Sequence, residues 1–193
     1  MTETGGESDA SLVRRALAGE DDAFAGLMGR HKQWAFRFVR RYVGNAEDAY
    51  DILQETFFSA WLALGRYQPE RPFESWLRRI ALNKCRDRAR RDTVRRVFSR
   101  LAGAEGETEA LPDPGPGPEA ALAVEQEVAQ LERSIAALPR SLKEPLLLTA
   151  LEGLSHQQAG ELLGLNAKAV EMRIYRARER LAALRAARGG ASR

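Results

Sequence analysis

Apolar residues in the N-terminal half recur at intervals of three and four: Leu12 and Ala16, then Phe24, Leu27 and Met28, then Ile52, Leu53, Phe57, Ala60, Trp61 and Leu64. This is the period of one helix face, and no useful length of chain alternates with the period of two that a half-buried strand requires. Breaks fall between the groups. Asp21-Asp22 stand before Ala23-Phe24 as capping residues, Gly44-Asn45 ends a helix, and Gln68-Pro69-Glu70-Arg71-Pro72 is a loop that proline keeps from being helical. About four helices are predicted between Ser11 and Arg100. In the last, Phe73, Trp76, Leu77, Ile80 and Ala81 form an i, i+3, i+4, i+7, i+8 stripe, which makes an amphipathic helix with a cationic outer face.

Periodicity then stops. Residues 103–119 are rich in Pro, Gly and acid and cannot bury enough apolar surface to order themselves. Beyond them a second helical segment runs to about Arg185, with Pro139 and Gly153 as punctuation. Within it Ser155-His156-Gln157-Gln158 has the capping-box form, so a helix starts there. Ala159, Leu162 and Leu163 give that helix an apolar face, Gly164 suits the left-handed conformation after its last turn, Leu165 plugs the core, and Asn166 can cap the next helix. In that next helix Val170, Ile174, Ala177, Leu181 and Leu184 share one stripe. Lys168, Met172, Arg176 and Glu179 are left opposite, with Glu171 and Tyr175 on the flanks. The whole of Leu154–Leu184 reads as a helix-turn-helix. The predicted fold is therefore all-α: two small helical domains, over residues 9–100 and 123–186, joined by a flexible acidic Pro/Gly-rich linker over 101–122.

Charge sharpens this picture. The 193 residues carry a formal net charge of only +3, but it is unevenly placed: −3 over residues 1–65, +8 over 66–102, −7 over 103–137, −1 over 138–167 and +6 over 168–193. Two basic blocks flank an acidic middle, the footprint of a protein that neutralises phosphates. In the second block the N-terminal part of the last helix can read major-groove edges, while Arg173, Arg178, Arg180 and Arg185 suit phosphates. In the first block Tyr67 and Phe73 stand beside Lys and Arg, the combination with which single-stranded nucleic acid is held by stacking and backbone contact. Trp76 is expected in the core.

Other chemistries are excluded on composition. The longest apolar runs fall far short of the roughly 18–20 residues of a membrane span, and residues 1–9 are acidic and polar, unlike a secretory signal, so a cytoplasmic protein is expected. Cys85 has no disulfide partner, and with only His31 and His156 no metal-ligand set is present, so neither metal nor cofactor is expected. No nucleophile and base pair or phosphate-binding glycine loop supports an enzyme.

Several motifs together carry a resemblance. Asp48-Ala-Tyr-Asp51-Ile-Leu-Gln54-Glu55-Thr-Phe57-Phe-Ser-Ala-Trp61, Arg71-Pro-Phe73-Glu-Ser-Trp76-Leu77-Arg-Arg-Ile80-Ala81-Leu-Asn83, Leu138-Pro139, and Gly153-Leu-Ser155 through Arg176-Ala-Arg178-Glu-Arg180-Leu181 resemble bacterial sigma factors of the sigma-70 family, extracytoplasmic-function group. The resemblance runs from about Asp9 to Leu184. It implies a non-catalytic RNA polymerase subunit that binds core enzyme, recognises minus-thirty-five and minus-ten promoter elements and promotes melting. The domain over 9–100 would be like region 2 and that over 123–186 like region 4. By the family pattern Asp48, Asp51, Leu53, Gln54 and Glu55 would dock on the clamp helices of the largest polymerase subunit, and the second domain on the flap of the second largest. Tyr67, Gln68, Arg71, Phe73, Arg79, Asn83 and Lys84 would hold minus-ten single-strand DNA. Lys168, Glu171, Met172, Arg173, Tyr175, Arg176 and Arg178 would face minus-thirty-five duplex DNA. Promoter DNA and an anti-sigma factor are the other partners implied. Two further readings are a stand-alone dimeric helix-turn-helix regulator, which leaves the Asp48–Trp61 helix unexplained, and a sigma-like decoy, which would not need basic faces.

Overall fold

The computed structural model describes residues 7–101 and 119–189. Its helices are α1 (Asp9–Leu17), α2 (Asp21–Val43), α3 (Ala46–Leu62), a 3-10 turn (Leu64–Arg66), α4 (Phe73–Leu101), α5 (Glu119–Ala136), α6 (Arg140–Leu146), a π turn (Leu147–Leu151), α7 (His156–Leu163) and α8 (Ala167–Gly189). No strand occurs among the described residues. The core of the predicted linker, residues 103–118, lies outside the described residues, and α5 begins inside the predicted linker span, at Glu119. Two compact units separate: residues to Val39 with Glu47 onward through α4, and Arg40–Ala46 with α5 to α8.

Local signals explain most helix ends. The Ser8 side chain accepts from the Ser11 amide at the start of α1, and Gly19 at φ 93° ends it. Asp21 and Asp22 sit in the first turn of α2, one position later than caps, where carboxylates favour the positive end of the helix dipole; the Glu20 carbonyl accepts from the Ala23 amide at 3.2 Å. Gly44 at φ 89° follows the last residue of α2.

The first unit closes around Leu12, Val13, Ala16, Phe24, Leu27, Phe57, Ala60, Leu64, Phe73 and Leu77, all buried. Aromatic contacts tie it together, Phe24 edge-on to Trp61 at 4.9 Å and Phe73 tilted against Trp76 at 5.4 Å between ring centres. In the second unit α6 and α7 pack on α8 over buried Leu146, Leu148, Ala159, Val170, Ile174 and Ala177. Pro145 lies inside α6 without an amide to donate, and directly after it the helix widens into the π turn, whose Glu152 amide reaches the Leu147 carbonyl at 3.1 Å.

Candidate functional site

Three exposed helix faces carry the candidate residues. On α3 the residues Asp51, Gln54, Phe58 and Leu62 follow at three- and four-residue steps, and all four are exposed. Leu53 lies off that stripe, partly buried against the core of the unit. Asp48 and Glu55 turn toward α4. Asp48 accepts from Arg88, while Glu55 accepts from Arg91 at 3.3 Å and lies 3.9 Å from Lys84. Phe58 and Leu62, on the same face but outside the expected docking set, are 64% and 70% exposed. Phe58, Trp61, Phe24 and Met28 border an open apolar groove of about 400 Å³ between α2 and α3.

The outer face of α4 is built by the same stripe rule. Phe73, Leu77, Ala81, Leu82 and Cys85 point inward and are buried, leaving Arg79, Asn83 and Arg90 exposed, with the half-buried Arg86 donating to Asn83 Oδ1 at 3.4 Å. Arg78, adjacent to Arg79, instead lies buried over the Trp34 ring at 4.8 Å and donates to Glu74 Oε1.

Tyr67 and Phe73, expected as stacking rings beside the loop, are 8% and 2% exposed and belong to the core. Their rings meet edge to face at 5.5 Å, the Tyr67 ring meets Trp76 at 5.5 Å, and the Tyr67 hydroxyl donates to the Arg71 carbonyl at 2.6 Å. Burial, with Asp9 and Glu70 nearby, pushes the Tyr67 phenol up. These two residues therefore fix the loop from beneath, and neither offers an open ring face. Gln68 and Arg71, on the same loop, are exposed.

In the second unit the helix-turn-helix is held by bonds within a few residues of each other. Ser155 Oγ accepts from the Gln158 amide at 3.2 Å while Gln158 Oε1 accepts from the Ser155 amide at 2.9 Å. Gly164 takes the left-handed conformation, φ 69° and ψ 38°, and Asn166 Oδ1 accepts from the Ala169 amide at 2.7 Å. Val170, Ile174 and Ala177 are buried, which turns Lys168, Glu171, Met172, Tyr175, Arg176 and Arg178 outward, with Arg173 half-buried on the flank. Lys168 Nζ donates to Glu171 Oε2 at 2.9 Å, and that bond holds the Glu171 carboxyl below its usual range. A hydrogen bond to Glu179 pushes the Tyr175 phenol up. The face offers donors, acceptors and apolar surface, the mixture that base edges require. Among the described residues no group of three or more His, Cys, Asp or Glu could hold a metal ion, and no helix is long and apolar enough to cross a membrane.

The family model described as Sigma-70 region 2 matches residues 27–95, and that described as Sigma-70, region 4 matches residues 129–181. The RNA polymerase sigma factor CnrH of Cupriavidus metallidurans is 39% identical over 183 residues, spanning 92% of this chain and 94% of that protein. The chain belongs to the sigma-70 family. Within that family it is similar to the extracytoplasmic-function RNA polymerase sigma factor SigW of Bacillus subtilis, 30% identical over 88% of this chain and 92% of that protein. The solved structure of CnrH in complex with the cytosolic domain of CnrY superposes with a TM-score of 0.67 at 33% identity, covering 94% of this chain and 99% of that one. The sigma factor RpoE from Bartonella quintana, solved with the anti-sigma factor NepR, shares the fold at a TM-score of 0.64 and 20% identity, over 82% of this chain and 93% of that one. The work of this sigma factor is promoter-specific transcription initiation by RNA polymerase.

Proposed function

We propose that this sigma factor docks on the clamp helices of core RNA polymerase through the outward stripe of α3, holds minus-ten single-strand DNA on the outer face of α4, and reads minus-thirty-five duplex DNA with α8. Residues 9–100 and 123–186 act as the two functional domains, with 101–122 as their linker and the second domain on the polymerase flap. Asp51 and Gln54 begin the docking stripe, and Phe58 and Leu62 continue it with apolar surface that a partner would bury. Gln68, Arg71, Arg79, Asn83 and Lys84 serve the single strand; Tyr67 and Phe73 position the loop and do not stack on bases.

The observation that carries the reading is the exposed face of α8 behind a fully capped turn: Lys168, Glu171, Met172, Tyr175 and Arg176 project from the N-terminal half of the helix that major-groove reading uses. The cationic line on α4 supports the second site, because strand capture sets base-edge hydrogen bonds and backbone neutralisation against an unstacking cost of about a few kcal/mol. The similarity to CnrH, solved with the cytosolic domain of CnrY, supports a sequestering anti-sigma partner here as well. Such a protein works in the cytoplasm, as an initiation factor with no chemistry of its own.

Size-exclusion chromatography with bacterial core RNA polymerase, followed by permanganate footprinting on promoter fragments, tests this. Stoichiometric co-elution with reactive thymines near the start site is the expected result. Binding to duplex DNA without core enzyme would instead support a stand-alone regulator.

A further inference from the structure

Glu171 places an acid on a surface that faces phosphates, and it is held there by a partner. The Lys168 and Glu171 side chains are 72% and 51% exposed, and Nζ and Oε2 stand 2.9 Å apart near the N-terminus of α8. The bond from Lys168 lowers the Glu171 carboxyl below its usual range, with a smaller pull from His156 at the start of α7. Glu171 also lines an open groove of about 600 Å³ with Ser155, His156, Tyr175 and Arg178, so it borders a concave surface on the recognition side.

A carboxylate is an acceptor only, and in the major groove it can bond only to cytosine N4 or adenine N6. Adenine sets the N7 acceptor beside N6, which repels a carboxylate; the atom beside cytosine N4 is a C–H. An ammonium finds two acceptors on guanine, O6 and N7, but on thymine a single O4 beside a methyl group. Guanine O6 and cytosine N4 are joined to each other by a hydrogen bond of about 2.9 Å. Nζ and Oε2 of the ion pair have that same separation, 2.9 Å. A donor and an acceptor so spaced match the edge of one G·C pair while keeping their own contact.

We propose that the Lys168–Glu171 ion pair is a specificity element that reads one G·C base pair of the duplex promoter element, Lys168 donating to guanine and Glu171 accepting from cytosine. The inference rests on the duplex-binding reading of α8. Because the pair neutralises itself, it adds selectivity while adding little affinity for phosphates.

The test uses holoenzyme reconstituted from core RNA polymerase and the full chain, with sequencing of the fragments it retains from promoters randomised upstream. The wild-type protein is expected to select G·C at one position that E171A and K168M both flatten, by about 5- to 150-fold, with other positions unchanged. E171Q is expected to move that preference from cytosine toward adenine, which a Gln amide reads bidentately. E171A is also expected to steepen the salt dependence of nonspecific duplex binding by about one unit of slope, as Lys168 becomes available to a phosphate. Selection unchanged in both E171A and K168M, flattening at two different positions, or wild-type selection of A·T at the shared position would overturn the proposal. Absence of any upstream selection by the wild type would overturn the duplex reading itself.

Discussion

Glu55 of α3 accepts a hydrogen bond from Arg91 of α4 at 3.3 Å, so a carboxylate expected to meet polymerase is tied to the cationic outer face of α4. Lys84 lies 3.9 Å from the same carboxylate, and Arg88 donates to Asp48 about two helical turns earlier on α3. The exposed Glu55–Arg91 pair contributes about 0.2–1 kcal/mol, so the fold tolerates its loss. Glu55→Gln is expected to raise the affinity of the free protein for a single-stranded oligonucleotide, because it frees Arg91 and Lys84. The gain should carry a salt slope steeper by about 0.7 for each cation released. Titrations of a fluorescent oligonucleotide at several salt concentrations measure both effects, and an unchanged slope would show that Lys84 and Arg91 do not reach the strand.

Tyr67 makes the stability of the first unit sensitive to alkali. Burial holds its phenol up, so the folded chain keeps a proton that the unfolded chain releases near the ordinary value of about 10. The folded state then binds more protons than the unfolded state, and stability falls as pH rises. The contribution is fully present below about pH 10 and is lost as pH passes upward through the raised value. Tyr67→Phe removes the titrating group together with the bond to the Arg71 carbonyl. It is expected to cost about 0.5–1.5 kcal/mol at neutral pH and to flatten the fall above pH 10, as read from urea unfolding followed by tryptophan fluorescence.

Gly160 meets the chain that follows its own helix. A Cβ added there would stand 2.4 Å from the Leu165 carbonyl oxygen, and the Leu165 amide is already bound to the Gly160 carbonyl at 2.9 Å, so the turn has little room to give. Helix propensity alone favours Ala over Gly by about 1 kcal/mol, but overpacking against backbone costs about 1–3 kcal/mol or more. Gly160→Ala is therefore expected to destabilise the helix-turn-helix and lower duplex affinity. Gly29→Ala, on α2 with nothing within 4 Å of the added carbon, is expected to stabilise by about 0.5–1 kcal/mol. Trp34, Trp61 and Trp76 all lie in the first unit, so fluorescence follows Gly29→Ala and circular dichroism is needed for Gly160→Ala.

What was legible in the chain depended on how local the cause was. Ser155, Gln158, Gly164 and Asn166 are satisfied by partners within four residues, so their spacing alone specified the capped turn that the structure contains. Tyr67 sits between a glycine-containing turn and two prolines, a setting typical of surface loops. It is buried because Phe73 and Trp76, brought in by the next helix, close over it, and that contact depends on the angle between elements. Leu53 and Phe58 show the same limit on one helix. Both fit an apolar period, yet Leu53 packs on the core and Phe58 remains 64% exposed, because the period of a helix does not say which neighbour covers which face. The π turn after Pro145 had no signal of its own, since a proline in an apolar run is compatible with either a break or a widened turn.

Asn83 and Arg176 separate the two DNA functions. Asn83 is exposed on α4 and carries both a donor and an acceptor, with Arg86 donating to its Oδ1 at 3.4 Å, so it suits a base edge that has left the duplex. Arg176 is exposed on α8 and offers the fork that pairs with guanine in an intact major groove. Asn83→Ala should leave closed-complex affinity within about twofold and reduce permanganate reactivity near the start site by roughly 5- to 100-fold, the loss of one base contact. Arg176→Ala should lower closed-complex affinity by a similar factor, while the promoter that does bind opens at the normal rate. Measuring filter binding at low temperature and permanganate reactivity at high temperature for both variants separates the steps. Equal loss of duplex affinity in the two variants would place both side chains on double-stranded DNA and remove α4 from strand capture.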